Sequence, residues 1–248
     1  MAPTKTITLA FDAYGTLLST ESIAKKLASH YGADTAAAVA QTWRKYQLEY
    51  TWRANSMNTY TPFSTLTQRS LIHAIAEHAL PPLPPASLAD LMSAYDSLAP
   101  FPDVPPALDA LATEPDLTAV VFSNGTYDMI SRSINHSPGL SPHAAVFSQI
   151  VVVEEVRKFK PAPEVYAYLA EKVGKKAEKG EGGFGDVWLV SSNPFDVVGA
   201  KAVGMRACWV DRGGGGWVDR LVEGEGAGPD VVVKGLGEVV GAVRGFEG

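Results

Sequence analysis

The stretch that most constrains this chain lies near its N-terminus, T-I-T-L-A-F-D-A-Y-G-T-L-L over residues 6–18. Ile7, Leu9 and Phe11 alternate with smaller residues and Ala10 leaves the run uncharged, so it reads as a buried strand of a parallel sheet. The strand delivers Asp12 to its C-terminal end. Tyr14-Gly15-Thr16 then supplies a turn, in which Gly15 is free to take dihedrals that other residues resist. A carboxylate at that spot is a candidate nucleophile. It is also a common turn former or helix cap, and position alone leaves both roles open.

The later chain bears on that choice. Ser123-Asn124, Lys160 and the segment from Ser191 to Asp196 each follow or lie near another apolar, strand-like run. Ligands of open α/β sheets bind in the crevice outside the carboxyl ends of the strands, so these polar elements and Asp12 are expected to converge there.

Between the first two strands the pattern is helical. Residues 19–51 place Ile23, Leu27, Tyr31, Val39, Trp43 and Leu48 at helical spacing, with a break and restart at Gly32 and Asp34. Further helices are expected at 64–79 and 85–97, separated by a proline-rich turn. Residues 98–106 read as an irregular return linker because four prolines fall within nine residues. From there strands and helices alternate. Helices are expected at 107–113, 129–135, 163–173, 195–203 and 236–243, and strands at 117–122, 146–152, 187–190, 206–210 and 229–233. Such alternation implies a parallel α/β sheet, with a core of residues 1–18 and 99–248 and an all-helical insertion of residues 19–98. The glycine-rich segments 174–185 and 212–228 read as flexible surface loops.

With 248 residues, 46% of them hydrophobic, the chain is long enough to bury a sizeable core. A net charge of −6 without a Lys/Arg block argues against a nucleic-acid surface. No 18-residue apolar span or signal peptide is visible, so neither a membrane nor secretion is expected and a cytoplasmic protein is. The single cysteine, Cys208, lacks a thiol partner and lies in a strand-like run, where it reads as a small core residue. The five histidines show no metal-ligand spacing, and no Ser-His-Asp or Cys-His arrangement is suggested.

Four ordered motifs carry a resemblance. F-D-A-Y-G-T-L from Phe11, V-F-S-N-G from Val121, K-F-K-P-A-P-E-V-Y from Lys158 and V-S-S-N-P-F-D from Val190 are similar to those of the haloacid dehalogenase superfamily, specifically its L-2-haloacid dehalogenases. The resemblance spans residues 6–210. It implies a Rossmann-like core with an inserted helical cap, and hydrolysis of small L-2-haloacids to D-2-hydroxy acids through an ester on Asp12. The substrate would be a small halogenated carboxylic acid. No cofactor and no metal would be needed, and members of the family pair, so a homodimer is implied that no feature of the sequence itself establishes.

The residue assignments follow from the same resemblance. Asp12 would attack the halogen-bearing carbon, with Thr16 in the same motif. Arg44, in R-x-x-Q-L-E-Y-T-W on the cap, would receive the halide, while the neighbouring Lys45 departs from the family's glutamine and is expected in solvent. Tyr14, Leu48, Phe63 and Phe195 would wall the alkyl group, and Ser123 and Asn124 would hold the substrate carboxylate. Lys160, preferred over Lys158, would keep Asp12 ionised. Ser191, Asn193 and Asp196 would position Lys160 and the hydrolytic water, and Tyr166 would hydrogen-bond inward. Phosphatases of the superfamily carry a second aspartate where this chain has Tyr14 and usually an aspartate, for magnesium, where it has Asn193. Halide leaves without a proton, so both differences favour dehalogenation over a magnesium-dependent phosphatase, or over a binding protein that has lost turnover.

Overall fold

The computed structural model describes residues 7–20, 22–180, 182–224 and 226–246. The expected opening at residues 1–6, and residues 21, 181, 225 and 247–248 within expected segments, lie outside the described residues. The described residues form a six-stranded parallel sheet from β1 (Ile7–Asp12), β2 (Leu117–Ser123), β3 (Phe147–Val152), β4 (Val187–Ser191), β5 (Arg206–Val210) and β6 (Val231–Val233), in the order β3-β2-β1-β4-β5-β6. Its central strands are buried on both faces, which is why β1, β2 and β4 read as almost continuous apolar runs.

The strand order fixes where a site can lie. The chain winds from β1 outward to β3 and then returns to the other side of β1 as β4, so the order reverses between β1 and β4. Asp12 pairs in register with Phe122, and Phe11 with both Val121 and Val190. Asp12, Ser123 and Ser191 therefore end three adjacent strands on the same edge of the sheet.

Helices α1 (Ser22–Tyr31), α2 (Ala33–Ser56), α3 (Phe63–Glu77) and α4 (Pro85–Tyr95) are inserted between β1 and β2. Their two connections to the sheet run side by side: Leu18 bridges Pro100, Ser19 N–H donates to Ala99 O at 2.8 Å, and Phe101 N–H donates to Leu17 O at 3.1 Å. Gly32, with φ of 78°, is the whole break between α1 and α2. The second helix then runs past Thr51 to Ser56 because no glycine or proline interrupts it.

The expected irregular linker is shorter than its prolines suggested. Helix α5 (Val104–Leu111) starts inside it and holds Pro105 and Pro106 in its first turn, where backbone N–H groups lack intrahelical acceptors and proline therefore costs little. The remaining helices are α6 (Tyr127–His136), α7 (Pro163–Lys172), α8 (Pro194–Val203) and α9 (Val239–Arg244), the last preceded by a 3-10 turn over Leu236–Glu238. Neither glycine-rich segment is simply a loose loop. Phe184 is buried and its N–H donates to Glu178 O, Trp217 meets Trp209 edge-on at 5.1 Å, and the Asp211 carboxylate accepts from Gly215 and Gly216 N–H. Cys208 is buried on β5, and burial pushes its thiol up to about 12. No helix among the described residues is long and apolar enough to cross a membrane.

The inserted helices pack through Trp43, buried on α2, whose Nε1–H donates to Thr67 O on α3 at 2.8 Å. Replacing it removes a large apolar surface and the bond to Thr67 O. Trp43→Ala is expected to lower unfolding stability by about 3–5 kcal/mol, measured by urea denaturation.

Candidate active site

The polar centre is built around an ammonium that water barely reaches. Lys160 is 1% exposed, and its Nζ donates to Asp196 Oδ2 at 2.7 Å, to Phe122 O at 2.8 Å and to Asp12 Oδ1 at 3.1 Å. Those three acceptors match its three donors. Asp196, fully buried at the start of α8, is also held through Oδ1 by the Tyr166 hydroxyl of α7 at 2.8 Å. The loop that carries Lys160 is pinned twice: its own N–H donates to Asn124 Oδ1 at 2.8 Å, and Asn55 of α2 both accepts from Phe159 N–H and donates to Phe159 O.

The second oxygen of Asp12 is held from the other side. Its Oδ2 accepts from Asn193 Nδ2 at 2.7 Å and from the Thr16 hydroxyl at 2.9 Å, and Thr16 Oγ1 in turn accepts from Ser192 N–H at 2.9 Å. Gly15 lets the chain turn here: its φ is 90°, a conformation that residues with a side chain rarely adopt. Arg44 reaches from α2 to Asn193 Oδ1 at 3.2 Å and Tyr14 O at 3.3 Å, while Gln47 Oε1 accepts from Arg44 at 2.9 Å and from the Tyr95 hydroxyl at 3.0 Å. The inserted helices thus hold a cation against the strand ends.

Aromatic rings enclose one side. Tyr14 stacks on Phe63 with centroids 5.6 Å apart and lies 5.2 Å from Tyr95. Its buried hydroxyl has no hydrogen-bond partner among the described residues, and burial holds its pKa well above the ordinary tyrosine value. Burial likewise raises Tyr166, with the adjacent Asp196 charge adding to the effect, so both phenols keep their protons. Burial also raises Asp196; Lys160 opposes this and the charge of Asp12 reinforces it. Among the described residues no three of His, Cys, Asp and Glu are grouped so as to hold a metal ion.

Residues 8–204 match the family model described as haloacid dehalogenase-like hydrolase. The chain belongs to that family. Similar proteins include an (S)-2-haloacid dehalogenase of Xanthobacter autotrophicus, 33% identical across 97% of this chain and 96% of its own. The (S)-2-haloacid dehalogenase H-109 of Pseudomonas putida is 32% identical across 93% and 95%. The structure of the L-2-haloacid dehalogenase from Xanthobacter autotrophicus with chloropropionic acid covalently bound matches with a TM-score of 0.80 and 31% identity, covering 97% of this chain and 99% of that one.

In this haloacid dehalogenase-like hydrolase, Asp12, Thr16, Arg44, Asn124, Lys160, Tyr166, Asn193 and Asp196 stand in one connected hydrogen-bond network. Asn193 acts on Asp12 instead of Lys160, because the end of β4 lies beside β1 and brings its amide to the Oδ2 side. Ser191 makes no hydrogen bond to Lys160 among the described residues, and the Ser191 and Ser123 hydroxyls accept from the N–H two residues onward, at Asn193 and Gly125. Phe63 joins the aromatic wall, whereas half-buried Phe195 meets Trp52 edge-on at 5.5 Å, and half-buried Leu48 lies one turn beyond Arg44 outside the network. Lys158 turns away to Asn58, and Lys45 is exposed.

Sequence reasoning missed Asn55, Gln47, Tyr95 and Gly199. A methyl at Gly199 would overlap the Tyr166 hydroxyl and Pro161, so α8 approaches α7 only through glycine there. A glycine in mid-helix was the available signal.

Because Asp196 titrates above its usual 3.8, it loses charge at a higher pH than an exposed aspartate, and Lys160 then loses a partner. Hydrolytic rate should therefore fall on the acid side with a midpoint above 3.8. The stability contribution runs oppositely: a raised carboxylate pKa contributes most below 3.8 and is lost as pH rises through the raised value. A kcat profile that stays flat down to pH 3.8 contradicts the assignment.

Proposed function

We propose that this chain hydrolyses small L-2-haloacids to D-2-hydroxy acids through an ester on Asp12, with residues 19–98 closing over the site as a cap. The observation that carries the reading is the double hold on Asp12: a buried ammonium on one oxygen at 3.1 Å, and a hydroxyl and an amide on the other at 2.9 and 2.7 Å. That arrangement fixes the carboxylate in direction, as a nucleophile requires. The named relatives act on the same substrate class.

A carboxylate oxygen of Asp12 forms a bond to C2 from the face opposite the halogen, and halide departs with the electron pair of the broken bond. Arg44 and the unpartnered Tyr14 hydroxyl supply positive charge and a donor where two anions, substrate carboxylate and halide, must be accommodated. Water then adds to the Asp12 carbonyl carbon. The attacking water gives up a proton as its bond to that carbon forms, and the cleaved alkoxide takes one up as the hydroxy acid, while Asp196 holds the Lys160 ammonium in place at 2.7 Å. Carbon C2 is inverted in the first step and untouched in the second.

Two observations favour this over phosphoester hydrolysis. Tyr14 holds its proton too tightly to serve as an efficient general acid. The Asn193 side chain turns its NH₂ toward Asp12, and its oxygen is engaged by Arg44, so it presents no free oxygen to a hard cation.

The test is halide release from each enantiomer of 2-chloropropionate with EDTA present. L-selective release that falls by about 10³-fold or more in Asp12→Asn is expected. Magnesium-dependent phosphate release from phosphomonoesters, with no halide released, would overturn the proposal.

A further inference from the structure

Arg212 opens a segment whose glycine content suggests a loose loop, yet its guanidinium ties four parts of the chain together. Nε donates to both Asp103 oxygens at 3.1 Å, Nη2 to Asp103 Oδ2 at 3.0 Å and Thr16 O at 2.9 Å, and Nη1 to Ser192 Oγ at 3.2 Å and Gly15 O at 3.5 Å. The guanidinium carbon lies 4.1 Å from the centroid of the Phe101 ring. Asp103 is held in turn by Leu236 N–H at 2.8 Å.

An arginine–aspartate pair near the surface contributes little by itself. The significant partners are the backbone of residues 15–16 and Ser192. These two segments supply the groups that orient Asp12 Oδ2: the Thr16 hydroxyl comes from one, and Asn193, next to Ser192, from the other. Thr16 Oγ1 and Ser192 N–H also bond directly. A planar fork with five donors spans the backbone of residues 15–16, the Ser192 hydroxyl and a carboxylate at once, which a point charge such as lysine cannot do.

We propose that Arg212 is a positioning residue for the nucleophile, holding the Thr16 carbonyl and Ser192 so that the Thr16 hydroxyl and Asn193 amide fix the Asp12 carboxylate in its attacking direction, with Asp103 as its anchor. This rests on the reading of Asp12 as the nucleophile. Misplacing reacting atoms by about 1 Å costs about 10²-fold in rate, while a group that never touches substrate leaves binding nearly unchanged.

The experiment compares wild type, Arg212→Met, Arg212→Lys, Thr16→Val and the Arg212→Met/Thr16→Val double variant. It reads the single-turnover rate of ester formation, KM, and the crystal structure of each. Arg212→Met should lose about 10²-fold in ester formation with KM changed by less than about threefold, and lysine should not restore the rate. The double variant should be no slower than the slower single variant, since both losses act through one contact. In the Arg212→Met structure the Thr16 Oγ1 to Asp12 Oδ2 separation should widen from 2.9 Å beyond hydrogen-bonding distance. A folded Arg212→Met protein with a rate within about threefold of wild type, losses that multiply in the double variant, or an intact Thr16–Asp12 bond would overturn the proposal. If Arg212→Met does not fold, Asp103→Asn, which weakens the anchor and keeps the arginine, should show a smaller loss of the same kind; an unchanged rate and bond there would overturn it. If wild type releases no halide at all, the proposed function fails, while the Thr16–Asp12 separation still decides the role of Arg212.

Discussion

The Lys160 ammonium is the interaction on which the rest of this site depends. Removing a cation from water costs several kcal/mol even after relaxation, and that cost is offset only where its donors find acceptors of good geometry. Here two carboxylates and one carbonyl take all three. The same bonds set the positions of Asp12 and Asp196, so what keeps the lysine buried also orders the chemistry. Two carboxylates surround one ammonium at this centre, and Arg44 brings a further cation to it from the inserted helices.

Topology brings these groups together. The reversal of strand order between β1 and β4 opens the sheet edge where Asp12 and the turn after Ser191 face each other. The insertion between β1 and β2 then contributes Arg44, Phe63 and Tyr95, and through Asn55 it grips the Lys160 loop itself. Because the site draws on both parts of the chain, the paired connections at Leu18 and Pro100 and the neighbouring Arg212–Asp103 contact lie where the geometry of one part is passed to the other.

Much of this was legible in the sequence where the signal was local. The apolar run ending in Asp12, the alternation of strands and helices after residue 117, and the proline-flanked Lys160 each show their character within about ten residues. Local signals also misled. Prolines 105 and 106 read as helix breakers but occupy the one turn that tolerates them, and the glycine run 213–216 reads as loose although Gly215 and Gly216 donate N–H groups to the Asp211 carboxylate. Ser191 has the right neighbours for lysine contact, and only the turn geometry shows its hydroxyl accepting from its own backbone. The hold of Asn55 on Phe159 and of Arg212 on Asp103 joins residues about a hundred positions apart, and no spacing rule reaches that far.

The central claim is that Asp12 is itself esterified. It is tested most directly by one turnover of L-2-chloropropionate with excess enzyme in ¹⁸O-labelled water, followed by mass measurement of the peptide containing Asp12. Attack of water on the ester carbonyl places ¹⁸O in the Asp12 carboxylate and leaves the product hydroxyl unlabelled. Label in the hydroxy acid, with none in Asp12, would mean that water attacks the substrate directly and would contradict the account.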